Sequence, residues 1–175
     1  MAPESSDYAF GVGHTGELQP HLKPFTEFLA EFNKETERGA ALTAAAFLDD
    51  LLQKVIEAFL IKNKSGKSLS DGFNAPLGTL SSRIAACHAM GLISDEEFQE
   101  CELIKKIRNE FAHKMKMSFE IEPVRGLSSS MHYKVADARD ARGQFTSSAV
   151  VMLMRLTNRA HYVGQKALKY ERWPI

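Results

Sequence analysis

Residues 94–113 read Ser94-Asp-Glu-Glu-Phe-Gln-Glu-Cys-Glu-Leu-Ile-Lys-Lys-Ile-Arg-Asn-Glu-Phe-Ala-His113. Ser94 stands three residues before Glu97, the reciprocal pairing that satisfies free N–H groups at a helix start. Asp95, Glu96 and Glu97 place negative charge where the helix dipole is positive. Phe98, Cys101, Ile104, Ile107 and Phe111 then recur at helical spacing and define one buried stripe. The stretch predicts a helix from Ser94 to about His113. Just before it, Gly91 sits where a left-handed residue ends a helix, with Leu92 after it. Two consecutive helices joined this tightly point to an all-α fold.

Working outward, the same periodicity recurs. Phe25, Phe28, Leu29 and Phe32 form one apolar stripe in a helix expected from near Pro20 to about Glu37, with Gly39 as punctuation. Leu48, Leu51, Leu52, Val55, Ile56, Phe59 and Leu60 keep the helical period through Ala40–Lys62, whose Ala-rich start suits close packing. Residues 63–74 (NKSGKSLSDGFN) read as a loop. A third helix is expected over Thr79–Met90 and a last one over about Thr146–Tyr170. Between the fourth and last helices, Met115, Met117, Phe119 and Ile121 alternate as in a strand, and Met131, Tyr133 and Val135 do so again. Pro123, Val124, Leu127 and Met131 fit a short helix equally well, so a β-hairpin and a short helix both stay open. The fold class is therefore a bundle of four to five long helices. Residues 1–18 read as a flexible N-terminal tail and 19–175 as a single helical domain.

At 175 residues and 44% hydrophobic content, the chain can bury a core without disulfide or metal staples. No apolar run reaches the ~20 residues of a membrane span, and the N-terminus lacks a secretory pattern, so a cytoplasmic location is expected. Cys87 and Cys101, the two cysteines, read as reduced core thiols. Neither has metal-ligand spacing, so neither a metal site nor a cofactor is expected. The net charge of zero hides an asymmetry. Residues 1–101 carry 8 Lys/Arg against 15 Asp/Glu, and residues 102–175 carry 14 against 7. The basic half can attract a polyanion or pair with the acidic half.

The candidate chemistry lies in Ile104-Lys-Lys-Ile-Arg-Asn-Glu-Phe-Ala-His113. Asn109 and His113 are i, i+4 neighbours, and the long Arg108 side chain can reach across. An Arg fork suits a phosphate, and a His can move a proton near neutral pH. With RNA, the 2′-hydroxyl supplies the nucleophile, so no metal is required. The plainer alternative is a His favoured by the helix C-terminus and an Arg paired with Glu102 or Glu110. Lys105, Lys106, Lys114, Lys116, Arg155 and Arg159 are candidate nucleic-acid contacts, or a solvated cationic edge. Asp49, Asp50 and Glu57 read as exposed acids. His88 reads as a core or interface histidine. Gly66-Lys67-Ser68 lacks the upstream glycine of a phosphate loop, where Ile61 stands.

Arg108-Asn-Glu-Phe-Ala-His113 resembles the Arg-x4-His motif of the HEPN superfamily, helical domains that include many ribonucleases. Ala75-Pro-Leu-Gly-Thr-Leu-Ser-Ser-Arg83, Gly91-Leu-Ile-Ser-Asp-Glu-Glu-Phe98 and Arg108–His113 together look like the bacterial mannitol operon repressor family. That resemblance covers roughly residues 40–115, with weaker support from Phe145 to Val163. It implies a HEPN-like, dimeric helical regulator that acts through a partner protein, such as a regulator or antitoxin, or through nucleic acid. It implies for the ribonuclease alternative that Arg108 binds the scissile phosphate, His113 is the acid/base and Asn109 supports them, across a homodimer cleft. A third alternative is a non-catalytic structural interaction module. The helix–Gly91–helix junction has the length of a helix-turn-helix turn. Its second helix opens with three acids, so direct DNA reading is not expected.

Overall fold

Four alanines decide how the bundle closes. Ala40, Ala41, Ala44 and Ala45 are buried on one helix, where small side chains let neighbouring helices approach closely. A computed structural model describes residues 22–174, and these form eight helices without a strand. They are α1 (Lys23–Phe32), α2 (Glu37–Phe59), α3 (Lys64–Ser70), α4 (Leu80–Ala89), α5 (Asp95–His113), α6 (Val124–Ser129), α7 (Ala141–Thr157) and α8 (Arg159–Gly164). Helix α2 carries the alanines and is the hub: α1, α3, α4, α5, α7 and α8 all pack on it. Helix α6 instead bridges α5 and α7. Leu48, Leu52, Ile56, Ile104, Ile107 and Leu153 are fully buried where these helices meet.

The all-α bundle is as expected, and the 94–113 helix has its predicted limits. Ser94 Oγ accepts from the Glu97 N–H at 3.3 Å, and a Glu97 carboxylate oxygen accepts from the Ser94 N–H at 3.0 Å. Gly91 takes φ +67°, a left-handed conformation in which a side chain would be strained.

Several helices begin or end away from where periodicity places them. The first helix was expected to run to Glu37. It stops at Phe32 because Thr36 starts a new helix, its hydroxyl accepting from the Gly39 N–H at 3.1 Å. Gly39 thus lies in the first turn of α2 and separates nothing. Helix α2 ends at Phe59, short of Lys62, because Leu60 turns extended. Part of the expected 63–74 loop is helix α3, whose start is capped by Asn63 accepting from the Gly66 N–H at 2.7 Å. That helix buries only Ser70, so no apolar period marked it.

Of the two readings of 114–143, the short helix is found, as α6. Phe119 inserts between Phe111 and Phe145, at ring distances of 5.0 and 5.1 Å, whereas Met115 is 92% exposed. Those contacts make the apparent alternation a wedge in the core. The last helix does not span Thr146–Tyr170. Asp140 caps α7 early by accepting from the Gly143 N–H at 2.6 Å, and the chain turns at Asn158 into α8. Residues 1–18, and Pro20, lie outside the described residues.

Arg38, in the first turn of α2, closes the far end of α5. Its guanidinium donates to the carbonyls of Phe111, Lys114 (2.7 Å) and Met115 (2.9 Å), oxygens that a helix terminus leaves without partners. Next to it, a Glu37 carboxylate oxygen accepts from the Phe119 N–H at 3.3 Å. Urea unfolding is expected to show Arg38→Ala less stable by about 1.5–3 kcal/mol, the range for hydrogen bonds from a charged donor. A loss below about 0.5 kcal/mol would mean that water replaces the fork without cost.

Candidate functional site

One face of α5 turns Lys105, Arg108 and Asn109 toward α2 and the start of α4. With Leu42, Ala45, Ala46 and Asp49 of α2, and with residues 78–81, they line an open groove of about 610 Å³. Volumes of this order suit a small molecule or a partner's side chains. Arg108 is exposed, and its Nη1 donates to Asn109 Oδ1 at 3.0 Å, which steadies the guanidinium on the rim. Lys105 is ion-paired with Glu102.

Asp49, on the α2 wall of the groove, is fixed by an ion pair to a buried arginine. Arg83, 7% exposed, holds Asp49 Oδ2 at 2.7 Å, and donates to the carbonyls of Leu77 (2.9 Å) and Ser70 (3.4 Å). One side chain therefore ties α2, α3 and the approach to α4 together. Thr79 and Ser82 cap α4 reciprocally, with the Ser82 N–H donating to Thr79 Oγ1 at 3.1 Å. Residues 78–81 thus build one wall of the groove.

His113 stands apart. It follows Arg108 by five residues, which is about 140° around the helix, and it does not line the groove. No hydrogen bond joins it to Arg108 or Asn109 among the described residues. It is exposed at the α5 C-terminus beside Lys114, which pairs with Glu110 at 2.5 Å. Lys106 and Lys116 are exposed. One chain therefore groups Lys105, Arg108 and Asn109, and leaves His113, Lys114 and Lys116 at the helix end.

Arg155 and Arg159 are elsewhere, near the start of α5, about 16 Å along the helix from Arg108. Arg159 makes a fork to Glu97, at 2.6 and 3.1 Å, and donates to the Leu92 carbonyl at 2.7 Å. Arg155 lies 3.5 Å from Glu97 and its guanidinium sits over the Tyr133 ring at 4.7 Å. Burial pushes the Glu97 carboxyl up. The Arg159 and Ser94 hydrogen bonds and the Arg159 and Arg155 charges outweigh it, so the carboxyl lies below its ordinary value of 4.5. Glu100, fully buried, accepts from Ser148 Oγ and from the His132 N–H at 2.8 Å. Periodicity held a sign of both: each stands one turn before a buried position, Glu97 before Cys101 and Glu100 before Ile104.

Asp50 pairs with Lys54 at 2.6 Å, and Glu57 accepts from Gln53 at 2.8 Å. His88 stacks on Phe98 at 4.2 Å and bonds Asp95 at 2.7 Å. Cys87 and Cys101 are free and buried. Burial raises the Cys87 thiol to about 12 against the nearby Arg159 charge, and burial raises Cys101 too, so both are unreactive thiols at neutral pH. Among the described residues no cluster of three or more His, Cys, Asp or Glu could hold a metal ion. None of their helices is long and apolar enough to cross a membrane.

No protein-family model matches the chain, and no curated protein matches it. A solved structure does: a chain of the X-ray structure of the MtlR-HPr complex from Escherichia coli, with a TM-score of 0.56 and 23% identity. The match covers 79% of this chain and 96% of that one. The bundle is thus an MtlR-like fold.

Because the folded-state pKa of Glu97 is depressed, its contribution is complete above the unfolded value near 4.5 and is lost as pH falls through the folded value. Thermal melts of Glu97→Gln should show a loss of about 3 kcal/mol at pH 7, as when one partner leaves a buried pair. The gap from wild type should narrow below pH 4.5. A gap that stays constant down to pH 3 would contradict this.

Proposed function

We propose that the chain is a cytoplasmic regulatory module that works by docking a partner protein across the α2–α4–α5 groove. The fold likeness to a chain of the MtlR-HPr complex carries this reading. The resemblance of residues 40–115 to the mannitol operon repressor family supports it, since that segment supplies all three groove helices. The groove also has the character of a protein-docking surface. Arg108 stands exposed at its rim, Leu42 is 37% exposed, and the floor is small and apolar at Ala45 and Ala46. Arginine is among the residues that concentrate binding energy at interfaces. The partner we name is HPr, or a protein of the same surface chemistry.

The alternative is a metal-independent endoribonuclease using Arg108, Asn109 and His113, with Lys105, Lys106, Lys114 and Lys116 drawing RNA in. Its support is that Arg108 and His113 are both exposed on α5. Because they diverge around that helix, this reading requires a homodimer in which one chain's arginine meets the other's histidine.

Calorimetric titration with Escherichia coli HPr should give a complex with Kd of about 1 µM or tighter. Arg108→Ala should weaken it at least about tenfold while leaving the melting temperature unchanged. Incubation with structured RNA in EDTA, beside His113→Ala, should show no cleavage. Absence of an HPr complex, with cleavage by the wild type alone, would transfer the assignment to the ribonuclease.

A further inference from the structure

A second group of exposed cations lies away from Arg108, around the end of α2. Residues 165–174, which carry no helix, lie against the end of α2: the Leu168 N–H donates to the Phe59 carbonyl at 2.8 Å, and Asn63 Nδ2 donates to the Tyr170 hydroxyl at 2.7 Å. Two grooves of about 550 and 530 Å³ adjoin here and share Ile61, the first lined within residues 57–70 and the second made with residues 167–173. Lys62, Lys64 and Lys67 line the first, and Lys169, Tyr170 and Trp173 line the second. Only Lys67 among the four lysines has a carboxylate partner among the described residues, Asp71 at 3.9 Å. Tyr170 is 78% exposed and Trp173 80%. Two acids face the same grooves. Glu57 is held by Gln53 and Ser70, and Glu171 lies between Tyr170 and Trp173 in the chain.

We propose that this face binds single-stranded nucleic acid, with Tyr170 and Trp173 as stacking platforms and Lys62, Lys64, Lys67 and Lys169 along the phosphates. Exposed aromatic rings interleaved with cations are what strand binding without sequence readout uses. Burying these rings against a base removes apolar surface from water, and a phosphate satisfies ammonium groups that the protein leaves unpaired. A purely acidic peptide would answer the lysines but offer the rings no flat face, whereas each base of a strand can stack on one, so the aromatic pair favours nucleic acid. The proposal does not rest on partner docking at Arg108.

Trp173 is the chain's single tryptophan and reports directly. The full chain is titrated with an oligouridylate of about twelve nucleotides, with oligothymidylate of the same length, and with polyglutamate. Emission should be quenched by either nucleic acid, with affinity falling as salt rises by about 0.7 log unit per log unit for each phosphate held. Tyr170→Ala and the pair Lys62→Glu/Lys64→Glu should each weaken binding about tenfold or more, with unchanged circular dichroism. Lys169→Glu provides a second test on a separate segment. Arg108→Ala should change nothing. Unquenched emission with both nucleic acids, or equal quenching by polyglutamate, would overturn the proposal.

Discussion

Two buried carboxylates on α5, Glu97 and Glu100, join the acidic first part of the chain to its basic second part. A carboxylate taken out of water without a partner costs several kcal/mol, so each must be answered. Arg159 and Arg155 answer Glu97, and Ser148 and His132 answer Glu100. The four partners come from α7, the turn before it and the start of α8. The burial of the α5 start is therefore coupled to the packing of residues 132–159 across it. The charge asymmetry visible in the sequence is partly consumed in this way. Of its two readings, pairing within one chain accounts for Arg155 and Arg159.

That commitment fixes what the rest of α5 can do. Its first turns are held by Glu97 and Glu100, its last turn by the Arg38 fork, and its middle faces the groove with Arg108 and Asn109. The Arg83–Asp49 pair supports the opposite wall. The groove is thus suspended between fixed points, which keeps the rim preorganised. Preorganised surfaces lose less conformational entropy on binding. The acid/base partner that an Arg-x4-His reading needs is carried away from Arg108 by the helix itself, because five residues do not return to the same face.

The helical class, the 94–113 element and the left-handed Gly91 were legible because each has a local physical cause: a cap, a period or a backbone angle. The boundaries that moved are those where a distant or short-range polar contact overrules periodicity. Thr36 and Asp140 started helices early, Asn63 nucleated a helix with no apolar face, and Phe119 entered the core from a stretch that alternates like a strand. The groove was half legible. Lys105, Arg108 and Asn109 stand together on one helix face, but Asp49 and Arg83 are 34 positions apart and meet only in the fold. Arg155 and Arg159 looked available because the helical period hints that Glu97 faces inward but does not say which distant cation meets it there.

The proposed docking surface lies on α2, α4 and α5, apart from the structural charges at the α5 start. Hydrogen exchange of the full chain with and without HPr tests it most directly. Docking in the groove should add protection only at residues 42–49, 78–83 and 105–109, with the Glu97–Arg159 region already protected and unchanged. Added protection at the start of α5 and along α7, with none in the groove, would contradict it.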